Sequence, residues 1–188
     1  MKKIAIILSL LLAPTFMSAQ SLFEKYEDKE DVTSVVVNQK MFKMLSNIDI
    51  QTNDPDSEDF INQVKMLKNL TVYTTDNIDV SNSMRKDVDK YIKNSKLEEL
   101  MRIKDGDQTV NFFILEGKDE NHVKELLMFV NGLGDITKNE NISINGKQRI
   151  IETVLLSLTG DIDLRQVSKL TSQLNVPGGE QLKKATKK

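Results

Sequence analysis

Cysteine and tryptophan are missing from this chain altogether, and histidine occurs once, as His122. Without thiols there can be no disulfide, cysteine nucleophile, thiolate zinc site or iron–sulfur cluster, so the fold relies on burial alone. One imidazole is too few for a multi-histidine metal centre within one chain. Aromatic residues make up only 5% of the sequence, and Tyr73, Tyr91, Phe112 and Phe113 are too scattered for a carbohydrate-stacking platform. Basic charge is in the minority: 26 Lys and Arg against 28 Asp and Glu give a formal net charge of −2. That balance disfavours nucleic acid, whose binding requires a basic footprint. No G-x-S-x-G elbow occurs, and Gly132-x-Gly134 lacks the helix pattern a phosphate loop needs.

The N-terminus has the layout of an export signal. Lys2 and Lys3 are followed by an apolar run from Ile4 to Leu12, broken only by Ser9, and Ala19 is a small residue suited to the position before a cut. Residues 1–19 are therefore expected to be a signal peptide, removed at Ala19-Gln20. The run is too short to span a bilayer, and no later stretch approaches a span. Removal of Lys2 and Lys3 leaves 24 basic and 28 acidic residues, a net charge of −4. The sequence predicts one α+β domain over residues 20–175 and a polar basic tail over 176–188. Val176-Pro177-Gly178-Gly179 ends the last helix there.

The expected fold is a mainly antiparallel sheet of about five or six strands, with helices packed on one face and a C-terminal strand-turn-helix. Asp31 to Val37 reads as a Val-rich strand, and Asn38 as the cap of a helix whose stripe is Met41, Met44, Leu45 and Ile48. Asp56 or Ser57 starts a second helix with Phe60, Ile61, Val64 and Leu67 inward. Leu70 to Thr75 is a strand, and Asp79 or Ser81 opens a helix with Met84, Val88, Tyr91 and Ile92 on its apolar face. Asp105-Gly106 and Asn145-Gly146 are hairpin signals. Val123 to Val130 also fits a helix. Gly117 and Asn131-Gly132 bound a run of strand length, which predicts a strand; Gly132 to Lys147 reads as a polar loop. Ile150 to Leu158 is a strand ended by a turn at Thr159-Gly160. Asp161 sits in that turn, Asp163 caps the helix that follows, and Gln166 completes a capping box.

The residues that can carry chemistry all have simpler roles available. His122 at a strand entrance reads as a surface histidine. A Ser–Lys pair can be drawn, for example among Ser81, Ser83 and Lys86, but no spacing singles it out. Asp161 with Asp163 can be drawn as a calcium or glycosidase pair, but a turn and a cap account for both. Asp54, Asp56, Glu58 and Asp59 alternate like calcium ligands, yet Pro55 intrudes and the EF-hand Gly and distal Glu are missing; a negative first helical turn is the simpler account. Met41, Met44, Met84, Met101 and Met128 sit at apolar stripe positions, Met66 being the exception, and the methionines read as core packing rather than an adaptable binding surface.

Several stretches together resemble a known family. They are the exported N-terminus, Met41-Phe42-Lys43-Met44-Leu45 after a Val-rich strand, Lys124-Glu125-Leu126-Leu127-Met128, and Ser157-Leu158-Thr159-Gly160-Asp161-Ile162-Asp163-Leu164. The chain resembles the domain of unknown function family 4252, exported envelope proteins of Bacteroidetes-type Gram-negative bacteria, over roughly residues 21–175. The resemblance implies export to the periplasm and a strand at Lys124 to Asn131, hints at envelope signalling, and carries over no catalytic residue. The expectation is a non-enzymatic envelope protein that meets a protein partner through a sheet edge or helix face, without cofactor or metal. The alternatives are a small-ligand or lipid carrier, with an apolar cavity, and an Asp/Glu-based hydrolase.

Overall fold

The computed structural model describes residues 22–47, 55–139, 143–144, 147–148 and 150–166. The expected leader, the basic tail and the helix from Val167 onward lie outside them. A 3-10 turn, Glu24–Tyr26, precedes β1 (Thr33–Asn38), α1 (Gln39–Ser46), α2 (Pro55–Met66), β2 (Leu67–Thr75) and α3 (Ile78–Asn94). Then come β3 (Glu98–Asp105), β4 (Gln108–Glu116), β5 (His122–Asn131), α4 (Gly134–Asn139), β6 (Ser143–Ile144), β7 (Lys147–Gln148) and β8 (Thr153–Asp163). Six strands form one open antiparallel sheet in the order β1-β2-β8-β5-β4-β3; β6 and β7 make a separate ribbon. The chain is α+β.

β5 explains why the sheet is covered as it is. Successive side chains on a strand point to opposite faces, and from Leu126 to Val130 of β5 both sets are apolar and buried. Leu127 and Phe129 join Tyr73 and Leu155 under α3, which contributes Val80, Met84, Val88 and Tyr91. Leu126, Met128 and Val130 join Phe112 on the other face, where α1 and α2 bring Phe42 and Val64. Helices thus lie on both faces, not on one. A half-wet sheet reads as alternation, whereas the unbroken run Leu126 to Val130 belongs to a strand buried on both sides. Burying one such side chain fully, Met84 for example, contributes about 2 kcal/mol.

Local signals set most element ends. Asn38 Oδ1 accepts from Met41 N (3.1 Å) and caps α1. Pro55 is the first residue of α2, where its missing N–H costs nothing. α3 is capped by Asn77, whose Oδ1 accepts from the amides of Asp79 (2.9 Å) and Val80 (3.2 Å), upstream of both expected starts. Asp105 pairs with Gln108, so the β3–β4 connection is Gly106-Asp107, one residue later than expected, with Gly106 at φ +56°. β6 and β7 flank Asn145-Gly146, as a hairpin there requires. The stretch read as a polar loop after Gly132 contains α4.

The last strand departs most from expectation. β8 runs on through Thr159, Gly160 and Asp161 to Asp163, so Gly160 is in the strand and not in a turn. Its φ is +149°, and a Cβ there would stand 2.6 Å from the Met66 carbonyl oxygen and 2.8 Å from Leu67 Cα. The glycine is required because the chain leaves α2 and enters β2 against this point, where Leu67 pairs with Gly160 and the register shifts. Beyond it, Gln63 of α2 takes the place of a neighbouring strand. Its Nε2 donates to Asp161 O (3.0 Å), and its Oε1 accepts from Asp163 N (3.1 Å).

Candidate functional site

The acidic residues after Gly160 each face a cation. Lys118 Nζ donates to Asp161 Oδ2 (2.7 Å), and Arg165 Nη2 donates to Asp163 Oδ2 (2.6 Å). Asp163 Oδ1 also accepts from Arg165 N (2.9 Å), the geometry of a helix cap. That pairing with Arg165 holds the Asp163 carboxyl below the usual carboxylate range. Gln166 is the last described residue of this stretch. Two carboxylates serving as acid and base require one proton held high; the Asp163 shift runs the other way.

The remaining chemical candidates are tied into the scaffold. His122 opens β5 with its ring half-buried, Nδ1 2.6 Å from Asp119 Oδ1. The hydrogen bond from His122 pulls the Asp119 carboxyl down. Ser81 and Thr153 share a buried hydroxyl–hydroxyl bond (2.5 Å), and Ser83 donates to Asp79 O (2.9 Å). Neither serine engages Lys86. Asp56, Glu58 and Asp59 fall in the first turns of α2, and Asp54 lies outside the described residues. Gly132 N and Gly134 N donate to the two oxygens of Glu152 (3.2 and 3.1 Å). The chain's own carboxylate thus occupies the only anion position that Gly-x-Gly could offer. No cluster of metal-ligating side chains occurs among the described residues.

One buried carboxyl escaped the sequence reading. Glu125, in the middle of β5, is buried, with Tyr91 donating to Oε2 (2.8 Å) and Ser157 to Oε1 (3.4 Å). Burial pushes its pKa up, and the two hydroxyl donors pull partly back. A charged residue inside Lys124 to Val130 was the available signal. The tyrosines Tyr26 and Tyr73 are also raised, by burial first and then by Asp87 and Glu27 respectively, and they anchor the N-terminal turn to α3 and β2.

Two surfaces remain. On the α3 side, beside β3 and β4, Arg85, Arg102 and Lys104 line an open recess of about 300 Å³ with Asp89, Asn111 and Phe129. Its walls mix these charged and polar groups with Val88, Phe113 and Phe129, unlike the wholly apolar cavity expected of a lipid carrier. Arg102 is held by Glu99 through two 2.7 Å bonds, and Arg85 bonds Asn131 while lying over the Phe129 ring.

The second surface is the β1 edge with α1. β1 reads Thr-Ser-Val-Val-Val-Asn, without a charge; Val35 and Val36 are 50% and 47% exposed. α1 turns Phe42 and Ser46 inward. Met41, Met44 and Leu45, expected in the core, are 46%, 59% and 41% exposed instead. Their i, i+3, i+4 spacing is a real helical stripe, but it lies on the flank away from Phe42. One buried aromatic is enough to seat this short helix, so the longer stripe is left outside. Met66 is exposed as well, Met101 half-buried, and Met84 and Met128 are core residues.

The opposite edge is built differently. β3 carries Glu98, Glu99, Arg102, Lys104 and Asp105, and its register shifts between Glu99 and Met101. Charge and a bulge are the devices that keep an edge from pairing.

The molecule is therefore an α+β open-sheet domain with, among the described residues, one guarded edge and one uncharged, uncovered edge. The family model described as Domain of unknown function (DUF4252) matches residues 26–170, and the chain belongs to that family. No curated protein and no solved structure matches it. Among the described residues, no helix is long and apolar enough to cross a membrane.

Proposed function

We propose that the chain is an exported, non-enzymatic protein-docking module of the cell envelope, working through the β1–α1 surface. The observation that carries this is the contrast between the two edges: β3 is charged and bulged, while β1 is uncharged and leads directly into α1, whose Met41, Met44 and Leu45 are exposed. An edge strand offers main-chain donors and acceptors to an incoming strand, and side-chain pockets or flanks give the selection. Methionines suit such a flank because their unbranched, polarisable side chains adapt to a partner. Export rests on Lys2, Lys3, the apolar run and Ala19. The neutralised Asp161 and Asp163 favour docking over acid-based hydrolysis.

A photo-crosslinking residue placed at Val36, and separately at Leu100 on β3, tests the reading in intact envelopes. Specific adducts from Val36 and none from Leu100 are expected; equal yields from both, or none from Val36, would overturn it. Sequencing the N-terminus of the protein in the periplasmic fraction should give Gln20. A second reading, a carrier of a small anionic ligand, is favoured by the Arg85–Arg102–Lys104 recess. Calorimetric titration with small dicarboxylates and phosphate would reveal heat only if that recess is a site.

A further inference from the structure

We propose that β1 is a homodimer seam, pairing antiparallel with β1 of a second copy about a two-fold axis through the sheet at Val35. This rests on the docking reading of the surface and supplies its occupant.

Three observations select a second copy. The strand matches itself: Thr33 to Asn38 carries no charge, so pairing with its own copy buries none. The flanking charges are opposite in sign. Glu27 to Asp31 before β1 sums to −3, and α1 after it carries Lys40 and Lys43. An antiparallel seam sets the start of one strand beside the end of the other, bringing Glu30 of each copy to Lys40 of its partner. Glu30 and Lys40 are both exposed and form no ion pair among the described residues. A parallel seam would set acid against acid, so charge chooses the antiparallel one.

The third observation is geometric. An axis perpendicular to the sheet keeps like faces together, so both α1 helices flank the seam on one face. α2 packs against α1, and the Met41–Met44–Leu45 flank remains open to be covered by its own image. Such an interface is isologous and closes at two copies. One six-residue strand and one helix flank per copy fall short of the roughly 20–30 residues per side of a standard interface. The dimer is accordingly reversible.

Sedimentation equilibrium of the purified full-length protein across a wide concentration range is the test, with four variants. The unaltered chain should reach twice the monomer mass at high concentration. Val36→Lys should weaken association about tenfold or more, by placing a charge at the seam. Glu30→Lys and Lys40→Glu should each weaken it about fivefold, and the doubly reversed chain should recover the original affinity. That recovery discriminates against misfolding, since two damaged variants do not mend each other. A chain that stays monomeric overturns the seam. So does a dimer indifferent to Val36→Lys, or a double reversal that stays weak. A strictly monomeric chain that still yields one specific Val36 adduct of a different mass would remove the homodimer and leave the docking reading standing. A monomeric chain without adducts removes both.

Discussion

The two edges of one sheet solve the same problem in opposite ways. An edge strand carries main-chain groups that ask for a neighbour. β3 answers with five charged residues in eight, a bidentate Arg102–Glu99 pair and a register shift at Leu100. β1 has none of these, and the helix that follows it adds exposed methionine and leucine beside the bare strand. Leaving an edge open invites aggregation, so the absence of guards at β1 is informative only because the same molecule guards β3.

That comparison can be broken most severely at Gly160, which lets the α2–β2 junction approach β8 and so attaches the β1 side of the sheet to the rest. Gly160→Val forces a Cβ against Met66 O and Leu67 Cα at positive φ. Urea unfolding should register a loss of about 3 kcal/mol. Hydrogen exchange should rise in β1 and β2 before β3 and β4; uniform loss would mean the two halves are not separable in this way. Asn38→Ala removes the cap at the turn from β1 into α1. A loss of about 1 kcal/mol is expected in the same assay, with weaker self-association because the methionine flank is no longer held in place.

Glu125 lies under α3, on neither edge, and serves as the control. Its raised pKa means that the folded state holds a proton the unfolded chain releases. Its contribution to stability is therefore complete below the unfolded pKa and is lost as pH rises through the folded one. Glu125→Gln should add about 1 kcal/mol at neutral pH and remove the gain that the unaltered protein shows on mild acidification. Asp163, whose pKa is lowered, works in the reverse sense, losing its contribution as pH falls through the folded value. Glu125→Gln should leave the oligomeric state unaltered. The smallest effect belongs to the guarded edge itself: Glu99→Gln breaks a largely exposed pair and should cost less than about 0.5 kcal/mol. If it also promotes association through β3, charge is shown to be what keeps that edge single.

Much of the architecture could be read from local pattern. Asn38 before a helical repeat, Gly106 near a hairpin and the run from Val123 to Val130 each combine a short-range signal with a simple steric cause. What escaped is what depends on distant neighbours. Nothing near Gly160 distinguishes a turn glycine from a strand glycine, because the atoms that exclude a Cβ belong to Met66 and Leu67. The stripe Met41, Met44 and Leu45 has the period of a buried face, but burial was decided by Phe42 on the adjacent flank. Period tells which residues share a side of a helix, and a second element must say which side is inward. Coverage of both sheet faces was legible in the unbroken apolar run of β5, had it been read as doubly buried. The β1–α1 surface was thus visible as a pattern and hidden as a surface.

Among the described residues, the last strand in sequence lies inside the sheet: β8 joins β2 on one side to β5 on the other. A ribosome therefore delivers two incomplete half-sheets, β1–β2 and β3–β4–β5, whose inner borders stay vacant until Thr153 to Asp163 arrives. Neither half can close on itself without that keystone, and its contacts reach back about as far as the chain allows. A polypeptide so arranged stays open until that strand has been made, a property that would serve the export proposed above, in which a chain is threaded before it is folded.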